Sequence, residues 1–437
     1  MPPTIVEKPA RGKLALRGQA QYFTRMLKLY NTMSRTEEEF RPRVKGRVKI
    51  FTCGPSTYRR PHVGNYRTFL YEDILVRYLA YRGLEVQRVI NFTDVEDKML
   101  EEAVREGRKP RAIAAEVAER FFSEARLLRI RLPRTIARAS TSVPQAVSLI
   151  RRLLAKGLAY WHEGDVFFEP LKYKDFGKLY RLDLRRWPKT KVRFRKDTYH
   201  GQRWNLGDFI LWHGQRNGDL SVWDTAIGRG RPSWNIQDPA MITEHLGFQV
   251  DINCGGIDNL YRHHDYNIAI LESLSGKSYA NYYLHGAHLI VEGKPMSKSR
   301  GNIRYPQDLL GGGLEPHHLR FFLLYKHYRR RLNLTHENLR KAASRLDALR
   351  SLAALLTAGG GPSLPDAEAR RVQAQIAALR EDFEGNLDAD LSVGKAVDAI
   401  LARLAALGRS RQRLPAALAR RLRAELGRLD EVLGFLL

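Results

Sequence analysis

Val48-Lys49-Ile50-Phe51-Thr52 runs into Cys53-Gly54-Pro55 and, seven residues later, into His62-Val63-Gly64-Asn65. The first five residues, rich in β-branched and aromatic side chains and closed by a Gly-Pro turn, read as a short buried strand. After the turn Tyr66, Leu70, Ile74 and Tyr78 recur every four residues, and Leu75 and Leu79 widen that face, so a helix follows. Gly83 stands where a helix C-terminal cap belongs, and residues 86–92 read as a second strand. A strand–helix–strand unit of this kind opens a nucleotide-binding parallel sheet, whose ligands sit at the carboxyl ends of the strands. The expected fold class is therefore α/β, with a Rossmann-type parallel-sheet catalytic domain.

Working outward, residues 131–232 interrupt the alternation. They carry short mixed elements such as Asp165-Val166-Phe167-Phe168 and a Trp-rich stretch with Trp204, Trp212 and Trp223. This predicts an insertion splitting the sheet. Parallel-strand signals return at 250–253 and 288–291, and the chain is helical from Pro316 onward. Gly359-Gly360-Gly361-Pro362 separates two long helices, and residues 366–437, rich in Ala, Leu and Arg, read as a helical bundle. The expected division is a basic N-terminal extension (1–25), the first half of the catalytic domain (26–130), a connective insertion (131–232), the second half (233–305), a junction (306–335) and the bundle (336–437).

Bulk properties narrow the class. The 437 residues carry 74 Lys and Arg against 47 Asp and Glu, a net charge of +27, which favours a polyanionic partner such as RNA. Two cysteines, Cys53 and Cys254, are too few for a disulfide framework. No apolar run is long enough to span a membrane, and the N-terminus lacks a signal-peptide core. A cytoplasmic enzyme, monomeric and without membrane contact, is expected.

Two motifs carry chemistry. His62-Val63-Gly64-Asn65 lies between a strand and a helix, where free N–H groups and the positive end of the helix dipole suit phosphate. An imidazole there can donate to a phosphate as charge builds up, and Gly64 permits close approach. Far downstream, Met296-Ser297-Lys298-Ser299 forms a short polar loop, and a flexible lysine in such a loop can neutralise a pyrophosphate leaving group. Together the two resemble the HIGH and KMSKS signatures of class I aminoacyl-tRNA synthetases, with Pro295 in place of the first lysine.

The resemblance extends to the cysteinyl-tRNA synthetase family. It runs through Leu29-Tyr30-Asn31-Thr32, Cys53-Gly54-Pro55, Asn91-Phe92-Thr93-Asp94-Val95-Glu96-Asp97-Lys98, Gly255-Gly256-Ile257-Asp258, His263-His264 and His327-Tyr328-Arg329. It implies an ATP-dependent ligase that forms an aminoacyl adenylate and transfers the aminoacyl group to a tRNA 3′ end, with Mg2+ accompanying ATP. It implies catalytic roles for His62, Asn65 and Lys298, nucleotide contacts at Gly64, Gly255, Gly256, Asp258, Ser297 and Ser299, and an amino-acid pocket walled by Trp234. In that family a zinc ion bound by two Cys, one His and one Glu selects the substrate thiol. Here the corresponding positions hold Cys53, Asp238, His263 and Asn267. Cys53, His263 and Asp238 could still make three ligands, but an amide is a poor fourth. Neighbouring family histidines are replaced by Asn235 and Asn253. Four replacements around one pocket, with the nucleotide motifs kept, predict a changed substrate. Cys53, Asp238 and Asn267 then become candidate contacts to a side chain carrying hydrogen-bond donors rather than to cysteine.

Leu433-Gly434-Phe435-Leu436-Leu437 resembles the end of the family's helical domain, where an anticodon-reading module normally follows, so base-specific anticodon readout is not expected. Arg409, Arg411, Arg413, Arg420, Arg421 and Arg423 gather positive charge near that end. Two other functions compete with tRNA aminoacylation. One is acylation of a small amine, as in the mycothiol-pathway ligases that resemble the same family, or of a carrier protein. The other is a non-catalytic RNA- or ribosome-binding role.

Overall fold

The computed structural model describes residues 25–183, 185, 207–410 and 413–437. Residues 1–24, Trp204 and Arg411 lie outside them, and with them nearly all of the expected basic extension. At the centre is a five-stranded, all-parallel sheet. Its spatial order is Ala280–Gly286, Val250–Gly256, Arg47–Thr52, Glu85–Phe92, Thr135–Arg138. Ile50, Phe51, Val89, Ile90 and Ile252 are buried on its two faces, as a covered parallel sheet requires. The chain winds outward in one direction from Arg47–Thr52 and later resumes on that strand's other side. The order therefore reverses between Arg47–Thr52 and Val250–Gly256, and a crevice opens beyond their carboxyl ends.

The helix expected after His62 spans Val63–Tyr81, and Gly83 ends the turn beyond it at φ +81°. Two details of the sequence reading change. Thr135–Arg138 pairs with the strand Glu85–Phe92, so the sheet's third strand lies beyond the boundary drawn at residue 130. The fifth strand is Ala280–Gly286. Residues Leu289–Val291, read as parallel-sheet signal, instead join a small separate sheet with Leu332–Leu334 and Lys294–Pro295. A three-residue apolar run fits either sheet, and tertiary pairing decides between them.

The insertion forms a five-stranded antiparallel sheet that includes Asp165–Phe168 and Phe209–Gly214. Its last strand, Gly228–Pro232, leads directly into the helix Trp234–His245. Ser233 fixes that entry: its hydroxyl donates to the Ile210 carbonyl at 2.6 Å and accepts from the Asn235 N–H, capping the helix. On the far side, helices Pro316–Tyr325, His336–Thr357, Asp366–Leu387, Val393–Ser410 and Ala416–Leu433 make the predicted helical region. Buried Arg320 ties it to the sheet domain. Its guanidinium donates to Asp73 at 2.7 Å, to the Leu433 carbonyl at 2.7 Å and to the Leu128 carbonyl at 2.8 Å. Arg77 shares the same Asp73 carboxylate at 2.8 Å. Removing one partner from so buried a network would strand an uncompensated charge, at a cost of about 3–5 kcal/mol. No described helix is long and apolar enough to cross a membrane.

Candidate active site

The crevice at the strand reversal holds a cleft of about 440 Å³ whose walls include Cys53, Tyr58, His62, Thr68, Asp258 and Lys298. A second hollow of about 350 Å³ adjoins it, sharing His62, Asn65, Thr68, Gly256, Asp258 and Met296 and reaching Gly64, Gly286 and Pro295. Strand ends, a helix N-terminus and the Met296–Lys298 loop thus converge on one cavity, although the helix N-terminus and the loop are far apart in the chain.

His62 is the N-cap of Val63–Tyr81. Its Nδ1 accepts the Asn65 N–H at 3.3 Å, while the Asn65 Oδ1 accepts the His62 N–H at 3.0 Å, a reciprocal capping box. Burial holds the His62 pKa below its usual value. A neutral imidazole with Nδ1 accepting carries its proton on Nε2, so the ring has one donor to offer a ligand. The Asn65 oxygen is spent on the cap, which leaves the amide nitrogen as its free end. A Cβ on Gly64 would lie 2.9 Å from Met296 Cε and 3.0 Å from the His62 ring, so glycine there lets the two motifs meet. On Gly256 a Cβ would fall 2.4 Å from Asp258 Oδ1. In the loop, the Ser297 N–H is held by Asn302 at 2.9 Å and the Ser297 and Ser299 hydroxyls pair at 3.2 Å, with Lys298 exposed between them.

Beneath the cleft lies a buried polar floor. Cys53 Sγ is 3.5 Å from His263 Nε2 and 3.3 Å from His264 Nε2. His263 Nε2 is 2.8 Å from Asp238 Oδ2, and the Trp234 ring stacks on His263 at 4.3 Å. The other Asp238 oxygen accepts from Asn91 at 2.6 Å, and Asn267 Nδ2 lies 3.4 Å from Oδ2. His264 Nδ1 meets His285 Nε2 at 2.8 Å, whose Nδ1 meets the Thr32 hydroxyl at 2.8 Å. Burial and the Asp238 charge raise the Cys53 thiol pKa well above normal. Burial and neighbouring His285 and His263 lower that of His264, and burial with Arg35 lowers that of His285 to about 3. Of the amino-acid contacts expected from sequence, Cys53 lines the cleft. Asp238 and Asn267 are buried and Trp234 is half-buried, and Asp238 has partners for both oxygens.

Sequence reading missed Asn91, His285 and Thr32 as floor residues and Thr68 and Gly286 as cleft residues. His285 and Gly286 sit on the strand that was not anticipated, and Thr32 and Asn91 had been noted only as parts of matching runs.

The family model described as tRNA synthetases class I (C) catalytic domain matches residues 39–344. This chain belongs to the cysteinyl-tRNA synthetase family. The cysteine--tRNA ligase of Lactobacillus delbrueckii subsp. bulgaricus is 35% identical over 386 residues, covering 87% of this chain and 81% of that one. The cysteine--tRNA ligase of Chlamydia abortus is 39% identical over 328 residues, covering 74% and 68%. Among solved structures, Mycobacterium tuberculosis methionyl-tRNA synthetase bound by methionyl-adenylate is similar, with a TM-score of 0.63 at 17% identity, over 89% of this chain and 90% of that one. The Agrobacterium radiobacter K84 agnB2 LeuRS–tRNA–LeuAMS complex is similar with a TM-score of 0.62 at 11% identity, over 91% and 85%. At such identities these two likenesses speak to the fold alone: a parallel-sheet core followed by a helical region.

Zinc is the metal of the family, and the floor's donors can be tested against it. Tetrahedral zinc, with bonds of about 2.0–2.1 Å to N and 2.3 Å to S, needs S–N separations of about 3.6 Å. The two S–N separations at Cys53, 3.5 and 3.3 Å, fit. The thiol, two imidazoles and a carboxylate are all donors that zinc accepts.

Proposed function

We propose that this chain activates an amino acid with ATP in the crevice and passes the aminoacyl group to the 3′ end of a tRNA. The carrying observation is the convergence of His62, Asp258 and the Met296–Lys298 loop on one cavity at the strand reversal. In this reading the amino-acid carboxylate oxygen bonds to the α-phosphorus as the α–β phosphoanhydride bond breaks, and pyrophosphate leaves. Mg2+ enters with ATP. No protein nucleophile is needed, so catalysis is positioning plus electrostatics. His62 donates from Nε2 to the α-phosphate, with its other nitrogen fixed by the helix cap. Asp258 accepts from ribose hydroxyls, and Gly64, Gly255 and Gly256 keep the backbone clear. Lys298, flanked by Ser297 and Ser299, neutralises pyrophosphate. Asn65 holds His62 and offers its amide nitrogen.

The tRNA reading draws support from the net charge of +27 and from exposed Arg409, Arg413, Arg420, Arg421 and Arg423 on the helical region. We propose a preferred amino acid other than cysteine. In this reading the wall a side chain meets includes Cys53, Tyr58, Thr68 and Phe69, and the buried groups His263, Asp238 and Asn91 are bonded to one another. A zinc ion at that floor would be held by Cys53 and the neighbouring histidines and would fix their side chains beneath the amino-acid end. Aminoacylation of total tRNA tests the acceptor. Charging of tRNA with the amino acid that best supports adenylate formation is expected. Adenylate formation without any charged tRNA would move the acceptor to a small amine or carrier.

A further inference from the structure

The sequence positions of the family's zinc ligands give this chain one thiolate, one imidazole, one carboxylate and one amide. The folded floor gives a different set. His264, the neighbour of the aligned histidine, turns its Nε2 to within 3.3 Å of Cys53 Sγ. We propose that the chain holds a zinc-type divalent ion with a changed ligand set: Cys53, His263, His264 and Asp238.

Three observations carry this. The donor atoms of Cys53, His263 and His264 lie within 4.8 Å of one another, and all three residues are buried. His264 is also held as metal-binding histidines are held. If its Nδ1–H donates to His285 Nε2, and His285 Nδ1–H to Thr32 Oγ1, both contacts at 2.8 Å, then its Nε2 presents a lone pair toward Cys53. Gly255 makes room for the ring, since a Cβ there would lie 2.9 Å from His264 Cε1. Asp238 has one oxygen fixed by Asn91, and the other faces His263. That 2.8 Å contact is a hydrogen bond as it stands. It would open to about 3.3 Å if both atoms turned to one ion.

Charge agrees with the exchange of ligands. One thiolate and one carboxylate balance a divalent cation with two neutral imidazoles, which leaves a buried site without net charge. Asn267, where the family has an anionic ligand, is then an outer partner of Asp238 rather than a defect. Cys254, the other cysteine, is packed in the core against the helix Val63–Tyr81 and takes no part in the cluster.

The test uses the whole purified chain. Metal analysis should find about one zinc per chain, and X-ray absorption at the zinc edge should show one sulfur and three lighter ligands. Cobalt substitution should give a thiolate-to-metal charge-transfer band that Cys53→Ser abolishes. His264→Asn should lose stoichiometric metal. His285→Asn, which removes only the outer hydrogen bond, should weaken binding about 10–100-fold. Two sulfurs at the metal would overturn the ligand set. So would full retention of metal by a folded His264→Asn variant. Wild-type protein that purifies folded and takes up neither zinc nor cobalt would overturn the site itself. These readouts are independent of adenylate formation, so they fail or succeed separately from the proposed activity.

Discussion

His62 caps a helix with one nitrogen and is proposed to assist catalysis with the other, and substitutions can separate the two roles. Nδ1 caps the helix Val63–Tyr81 by accepting the Asn65 N–H, and Nε2–H is the donor proposed for the α-phosphate. Loss of an N-cap side chain costs about 1 kcal/mol of stability when alanine replaces it, and nearly nothing when asparagine, itself a good cap, does. Loss of one preorganised donor to a developing charge costs about 2.7–4 kcal/mol of transition-state stabilisation, or roughly a hundred- to a thousandfold in rate. His62→Ala should therefore lose both: a lower midpoint in urea and a rate of pyrophosphate exchange down about a hundredfold or more. His62→Asn should keep wild-type stability, because its oxygen can replace Nδ1 in the cap. It should still lose the rate, because its shorter side chain cannot reproduce the Nε2 donor. Equilibrium urea unfolding and exchange kinetics on the same three proteins make the comparison. If His62→Asn exchanges at the wild-type rate, the imidazole is a cap and nothing more, and its assigned role in catalysis is wrong.

Other expectations can be checked on the same material. Lys298→Ala, at an exposed loop residue, should reduce exchange by a similar factor with an unchanged thermal midpoint; loss of stability in place of rate would contradict the role given to it. In metal-stripped protein, His285 with a folded pKa of about 3 against about 6.5 unfolded means that the unfolded chain binds more protons between those values. Its contribution is complete above about pH 6.5 and is lost as pH falls toward 3, roughly 2 kcal/mol of it by pH 5. Urea midpoints at pH 7 and pH 5 should differ accordingly, and His285→Asn should flatten the difference; an equal difference in both proteins would refute the assignment. Binding to tRNA should weaken steeply with salt as lysines and arginines give their phosphates back to counterions. An affinity unchanged between low and physiological salt would exclude the phosphate backbone as the main contact.

Much of the fold around the crevice could be read from local sequence because its parts are local. A strand, a Gly-Pro turn and a capped helix occupy 47–81, and both the turn chemistry and the four-residue apolar spacing are written there. The parallel strand at 250–256 and the loop carrying Lys298 were legible for the same reason. The floor was not, because its membership depends on which rings the fold turns inward. His263 and His264 are adjacent in sequence, and alignment singles out the first. The second enters the site through a strained segment just before it, where Arg262 adopts φ +69°. The folded chain brings three donors, Cys53, His263 and His264, within 4.8 Å of one another, with Asp238 beside His263. The strand Ala280–Gly286, which supplies His285, carries a run of Tyr, Leu and His with no alternation to mark it, and its burial comes from neighbours far away in sequence.

The central claim is that this crevice makes an aminoacyl adenylate. The most direct measurement is ATP–pyrophosphate exchange with the purified chain, run separately with each standard amino acid and with none. Exchange should depend on at least one amino acid, ranked above cysteine, and be suppressed about a hundredfold or more by His62→Asn and by Lys298→Ala. Exchange supported best by cysteine would return the pocket to the family's ordinary selectivity. Exchange with no amino acid above background, in protein shown to bind ATP, would contradict adenylate formation in this crevice.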